Sequence, residues 1–238
     1  HGSSHCGSPS ARSSHVFTAW KSPQGWAVLH GGLGEFGVLS DVWLWQATHD
    51  WVELKTNGPV VARAHHCGGI VRESLLVHSG QDSAYLTVDS VFTLHLDTLV
   101  WQSVSLKHGP SPRIDSAATV VDTVGLLIFG GVGVDFEFEA PTTWLLPAVG
   151  VTDSSPRAIN HRLDTSTAPC ARACNSICSD GLRVYMFGGF DGENDLGDLW
   201  CLDLAFGCFR NPDLSSDSLL SMLPVRARAH NYAGFEKT

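Results

Sequence analysis

Cys170, Cys174 and Cys178 fall four residues apart, a run of thiols that invites a metal reading. Zinc knuckles use tighter turns such as Cys-x-x-Cys. Here the thiols lie in and beside a segment around Arg172 that reads as extended, where residues four apart stand well separated. With Cys6, Cys67, Cys201 and Cys208 the chain has seven cysteines. An odd number at irregular spacing argues against a disulfide framework. The reading is small buried thiols in a reduced compartment, the cytosol, with no metal and no cofactor.

Histidines are the next candidates for catalysis or metal binding. His15, His66 and His230 each stand three residues after an arginine, or two for His230, inside a recurring motif. His30 and His78 occupy one slot of a second recurring motif. A catalytic residue is usually unique in its chain, whereas a repeated one serves the architecture. The same logic covers Trp43, Trp51, Trp101 and Trp200, which recur at equivalent places and suit packing. No Gly-x-Ser-x-Gly, phosphate loop or His-Glu-x-x-His occurs, and no enzymatic activity is expected.

What positions these side chains is a repeat. Four apolar runs end in a small-residue pair: Trp26 to Gly31-Gly32, Leu75 to Ser79-Gly80, Leu126 to Gly130-Gly131, and Val184 to Gly188-Gly189. The pairs step by 48, 51 and 58 residues, a rhythm that marks a repeat architecture. Upstream of each pair an arginine opens the unit: Arg12, Arg63, Arg113 and Arg172, with a fifth copy at Arg228. Downstream come alternating segments, Asp41-Val-Trp43, Asp89 to Leu96, and Asp198-Leu-Trp200, and then Trp51, Trp101 or Phe209.

Four short strands per repeat account for this order. An apolar run suits a strand covered on both faces, and alternation suits a strand with one wetter face. Evenly spaced short strands with nothing helical between them suit radial blades. The third repeat fades after Gly131. Trp144 stands for its Asp-x-Trp segment, no counterpart of Trp51 appears, and the stretch 147–169 reads as a long surface loop.

The ordered opener, Gly pair, Asp-x-Trp segment and later aromatic resemble the Kelch repeat over roughly residues 10 to 235. That resemblance implies an all-β, Kelch-type β-propeller with blades near 10–59, 60–110, 111–168 and 169–223. Residues 224–238 would begin a further blade and 1–9 would form an extension. The ring would then be part of a larger polypeptide or assembly. The copper radical oxidases share such propellers, but their chemistry needs tyrosines around the metal. Only Tyr85, Tyr185 and Tyr232 occur here, and Tyr185 sits in an apolar run. No sialidase-type Asp box is found.

A chain of 238 residues with 43% hydrophobic and 16% charged residues is long and apolar enough for a packed β domain. Its net charge of −9 disfavours a nucleic-acid backbone as partner. No apolar run is long enough to suggest a membrane span.

In an up-and-down blade, loops joining the second strand to the third emerge on the same face as the blade-to-blade links. The four such loops carry Glu35, Asp82, Asp135, Glu137, Glu139, Asp191, Glu193 and Asp195, with no Lys or Arg. Phe36, Tyr85, Phe136 and Phe138 lie among them. The links add four acids and six bases, so twelve acids against six bases place −6 of the charge on this face. The expectation is a non-catalytic scaffold or adaptor that binds basic protein partners through this face. Kelch families also include ubiquitin-ligase substrate receptors and cytoskeletal binders. Arg12, Arg63, Arg113 and Arg172 are read as structural or as ligand contacts at the channel mouth.

Overall fold

A computed structural model describes residues 7–20, 25–47, 50–106, 109–122, 124–148, 168–205 and 207–210, with the backbone alone at 157–159. The fifth opener around Arg228, with His230 and Tyr232, lies outside the described residues, as does Cys6.

Each of the four repeats folds into one antiparallel four-stranded sheet in simple meander order. The first blade holds β1 (Val16–Trp20), β2 (Trp26–Gly34), β3 (Gly37–Gln46) and β4 (Asp50–Leu54). The second holds β5 (Cys67–Val71), β6 (Ser74–His78), β7 (Val91–His95) and β8 (Val100–Val104). In the third, β9 (Arg113–Ile114) and β12 (Val132–Gly133) form a small rim ladder above β10 (Ala117–Val121), β11 (Gly125–Phe129), β13 (Thr143–Pro147) and β14 (Arg157–Ile159). The fourth holds β15 (Ser176–Ser179), β16 (Arg183–Phe190), β17 (Asp195–Asp203) and β18 (Cys208–Arg210). No helix occurs among the described residues.

The arginines lie just ahead of the first strands rather than inside them, except Arg113 in β9. The third blade has an outer strand where the sequence reads as loop. Strand β14 pairs with β13 from Thr143↔Ile159 to Leu145↔Arg157. Three residues without an aromatic leave no periodic trace, because a backbone ladder needs no particular side chain. Arg157, inside the stretch 147–169 that reads as a surface loop, therefore belongs to that outer strand.

Successive first strands are neighbours, β1 beside β5, β5 beside β10 and β10 beside β15. The blades are thus arrayed about a common axis with their first strands innermost. Strand alternation then divides each apolar run between two cores. Leu75 and Val77 of β6 join Val28, Val42 and Trp101 between blades one and two, while Leu76 faces Leu126 and Ile128 between blades two and three. Leu127 and Phe129 turn the other way onto Met186, Trp200 and Leu202 of the fourth blade. An unbroken apolar run is what a strand sandwiched by two neighbouring blades requires. At about 25 cal/mol per Å² of apolar surface, this face-to-face burial is the main force holding blade to blade.

Candidate functional site

The rim that carries the loops is built from the opener outward. In blade four, Arg172 is fully buried, and its Nη1 and Nη2 donate to the two carboxylate oxygens of Asp198 at 2.6 and 2.9 Å. Trp200 Nε1 donates to the same carboxylate at 2.6 Å. Blade one repeats the arrangement with Arg12 on Asp41 at 2.5 and 2.8 Å and Trp43 Nε1 at 2.6 Å. The Asp-x-Trp spacing thereby gains a reason. Residues two apart share a strand face, so one carboxylate can bridge a guanidinium and an indole. Burial raises the Asp41 pKa, but the hydrogen bonds from Arg12 and Trp43 outweigh it and hold the carboxyl below its ordinary value. At Asp198 the bond from Arg172 is the largest influence, again downward.

The other two repeats lack that aspartate and improvise. Ser90 stands at the equivalent place in blade two and accepts from Arg63 at 2.6 Å, while the Arg63 guanidinium lies 5.6 Å from the Phe92 ring centre. In blade three Glu139 reaches back from the β12–β13 loop to Arg113 at 3.2 Å. Grouped by sequence with the outward acids, Glu139 is instead engaged inward. All four arginines are held by internal partners, Arg113 and Arg172 with side chains 2% and 0% exposed.

The glycine pair is where neighbouring blades cross. The first glycine offers its carbonyl to its own arginine: Arg12 to Gly31 O at 3.0 Å, Arg113 to Gly130 O and Arg172 to Gly188 O at 2.9 Å. The second position donates its amide to the carbonyl of the next opener, Gly32 to Arg63, Gly80 to Arg113 and Gly131 to Arg172. A Cβ on Gly31 or Gly130 would sit 2.5 or 2.1 Å from that next carbonyl oxygen, and both residues have positive φ. Glycine meets both demands without strain, and blade two has Ser79 at this place, also with positive φ.

Nearer the axis, Ser14, His65, Asp115 and Cys174 each follow their arginine by two residues and share φ of 54 to 56°. His65 N–H donates to Ser14 O, Asp115 N–H to His65 O and Cys174 N–H to Asp115 O, at 3.0 to 3.1 Å. This relay of amides ties the four blades in series, and His65 Nδ1 adds a 2.8 Å contact to Asp115 Oδ1. Cys174 is exposed as a residue, and partial desolvation of its thiol, followed by nearby Asp115, raises its pKa.

The openers bridge to the loops of their own blades, Ser13 with Leu33, Ala64 with Gln81 and Ala173 with Phe190. Openers and second-to-third-strand loops therefore share one rim. There Glu35, Asp135, Glu137, Glu193 and Asp195 are exposed. Asp82 Oδ1 accepts from the amides of Ala84 and Leu86, and Asp191 Oδ1 from those of Glu193 and Asn194, which shapes their loops. The same rim exposes Phe36 (95%), Phe136 (81%) and Tyr85 (56%). The Phe138 ring lies 6.1 Å from that of Phe190 of the neighbouring blade, tilted by 59°. Phe190 and Leu86, the latter 63% exposed, were not singled out by sequence; exposure of an apolar residue inside a strand end or turn has no periodic signature.

The described cysteines are free thiols, but against the expectation of buried ones Cys170, Cys174 and Cys178 are exposed, Cys201 and Cys208 are half-buried and Cys67 is buried. Among the described residues no three His, Cys, Asp or Glu side chains converge as metal ligands, and no helix is long and apolar enough to cross a membrane.

A model of the Kelch motif matches residues 171–211, the fourth blade. Acyl-CoA-binding domain-containing protein 5 of Arabidopsis thaliana is 30% identical over 60% of the chain and 21% of its own length. Tip elongation aberrant protein 1 of Schizosaccharomyces pombe is 27% identical over 68% of the chain and 14% of its own. The N-(sulfonatooxy)prop-2-enimidothioate sulfolyase of Thlaspi arvense is 27% identical over 59% of the chain and 40% of its own. The chain thus spans less than half the length of each of these relatives. The fourth blade carries the Kelch motif, and the arginine opener and four-stranded meander that it shares with the other three blades support a Kelch-repeat architecture for the chain.

Proposed function

We propose that this chain is a non-catalytic protein-interaction module of a reduced, cytosolic compartment that docks basic partners on its acidic loop rim. The family itself suggests protein–protein interaction. One observation carries the finer reading: exposed aromatic tips stand among exposed carboxylates on the rim. Phe36 adjoins Glu35, and Phe136 lies between Asp135 and Glu137. Large apolar side chains at loop tips cost solubility, and surrounding them with like charge favours a partner of opposite sign. The internal partners of the four repeated arginines support a structural role for them rather than ligand binding.

The enzyme name carried by the Thlaspi relative belongs to that protein. A scaffold, a ligase receptor and a cytoskeletal binder would all use such a rim. The test is a variant with Glu35, Asp82, Glu137 and Glu193 changed to lysine, leaving Glu139 to its arginine. In a pull-down at low salt the variant should lose the proteins that the unmodified chain recovers. Unchanged recovery would remove the rim from the interaction.

A further inference from the structure

The aromatic tips are unequal, and the strongest lies where blades three and four meet. The β12–β13 turn is closed on itself by Phe136 N–H to Gly133 O, Gly133 N–H to Glu137 O and Glu139 N–H to Gly131 O, at 2.9 to 3.1 Å. It holds Phe136 at φ +60° with its ring 81% exposed, and Val134 beside it is 53% exposed. A bulky side chain in the left-handed region is strained, and Gly or Asn would relieve that strain. Strain and exposure coincide here as they do at Tyr85, but Phe136 is the more exposed and has a second aromatic, Phe138, on its own loop. Phe138 leans across to Phe190, and a Cβ on Gly192 would come within 3.0 Å of its ring. Phe138 and Phe190 form an apolar step that spans two blades, and the exposed Phe136 stands two residues before Phe138 on the same loop.

Its surroundings fix the sign of what would cover it. Asp135 and Glu137 flank the step on one loop, Asp191, Glu193 and Asp195 on the other, and neither loop has a Lys or Arg. Arg113 and Arg172, the nearest repeated cations, are committed to Glu139 and Asp198. An aromatic face beside carboxylates is the environment in which a guanidinium gains twice, by stacking its plane and by bidentate hydrogen bonds. An ammonium, more strongly hydrated and without a planar face, gains less.

Building on the rim reading above, we propose that this step together with Phe136 is the anchor for an arginine of an extended partner segment, with an aliphatic neighbour of that arginine resting on Val134 and Phe138.

The probe is a short labelled peptide alternating arginine and leucine, titrated against the full chain by fluorescence anisotropy. Two companion peptides replace arginine by lysine or by uncharged citrulline. Phe136→Asn suits the left-handed backbone, so it should melt no lower than the parent while binding the arginine peptide about tenfold more weakly. Citrulline should cost about tenfold or more, and lysine several-fold. Phe36→Ser and Tyr85→Ser should change binding less than about threefold.

Loss of binding in those two variants, with Phe136→Asn unaffected, would overturn the anchor and leave the rim in place. Equal binding of lysine and arginine peptides would overturn the selectivity for arginine. Absence of binding by all three peptides, together with an unaltered pull-down by the four-lysine variant, would remove anchor and rim alike.

Discussion

His66 Nε2 lies 3.0 Å from His30 Nδ1, and His30 Nε2 lies 3.0 Å from the Val61 carbonyl oxygen. A carbonyl only accepts, so His30 carries its proton on Nε2 and offers Nδ1 as acceptor. His66 must then donate from Nε2. The pair is neutral, lies between blades one and two, and is fully enclosed with the Trp101 ring 5.1 Å from His30.

Acid should therefore loosen this joint. Burial pushes His30 down to about 4, with Asp41 and the Val61 carbonyl opposing and Arg63 and Arg12 adding to the fall. His66 is lowered well below its ordinary value by burial first, then by His30, Arg63, His15 and His65. His78 is lowered to about 3, chiefly by burial and also by Arg113. The unfolded chain binds these protons from about pH 6.5 downward and the folded chain does not, so stability falls as pH falls through that window and levels off above it. By pH 5 His30 and His78 each cost about 2 kcal/mol, and His66 acts in the same direction. Thermal melts at pH 7.5 and 5.0 should differ by many degrees; coincident melts would show that the histidines titrate normally when folded. The carboxylates held low by arginine act only below about pH 3.9, outside this window.

Replacing Asp198 by asparagine keeps the shape and removes the charge. Arg172 would keep its guanidinium buried without its counter-ion, and Trp200 would face a weaker acceptor. The expected loss is about 2 to 4 kcal/mol, at the low end for a buried pair because Asp198 is 31% exposed. Asp41→Asn should behave alike, and Ser90→Ala, which removes a neutral acceptor, should cost only about 1 kcal/mol. Urea titrations of the three variants give the order directly; equal losses would contradict it.

Two glycines of positive φ separate backbone strain from blade crossing. Gly181 has open space around its Cβ position, whereas a Cβ on Gly130 would meet the Arg172 carbonyl at 2.1 Å. Gly181→Ala should cost about 1 to 2 kcal/mol for the backbone alone. Gly130→Ala should cost more than about 3 kcal/mol, because blade four must retreat. Chemical denaturation would show the difference, and similar values would mean that the crossing has slack. Ser79 shows how blade two accommodates a side chain at this place: its hydroxyl accepts the Arg113 amide at 2.6 Å and donates to Val88 O at 2.8 Å.

Docking on the acidic rim should weaken with ionic strength. Raising salt from 0.05 to 0.5 M shortens the screening length to about 4 Å, so association with a basic partner should slow by an order of magnitude or more. Stopped-flow mixing with the arginine peptide reads this, and a rate independent of salt would argue against charge steering.

The linear sequence by itself determined the blades. Apolar runs, alternation and repeated glycine pairs are local signals, and each strand's two-residue period reports whether one face or both are covered. It also marked the arginines, the Asp-x-Trp segments and the acidic loops, because repetition is visible without coordinates. It could not show strand β14, whose backbone pairing leaves no pattern in side chains. Nor could it show that Glu139 turns inward to Arg113, or that Phe138 reaches Phe190 across two blades. Those relationships join residues 26 and 52 positions apart. They depend on the angle at which one sheet meets the next, which is set by how the side chains of both sheets fill the space between them.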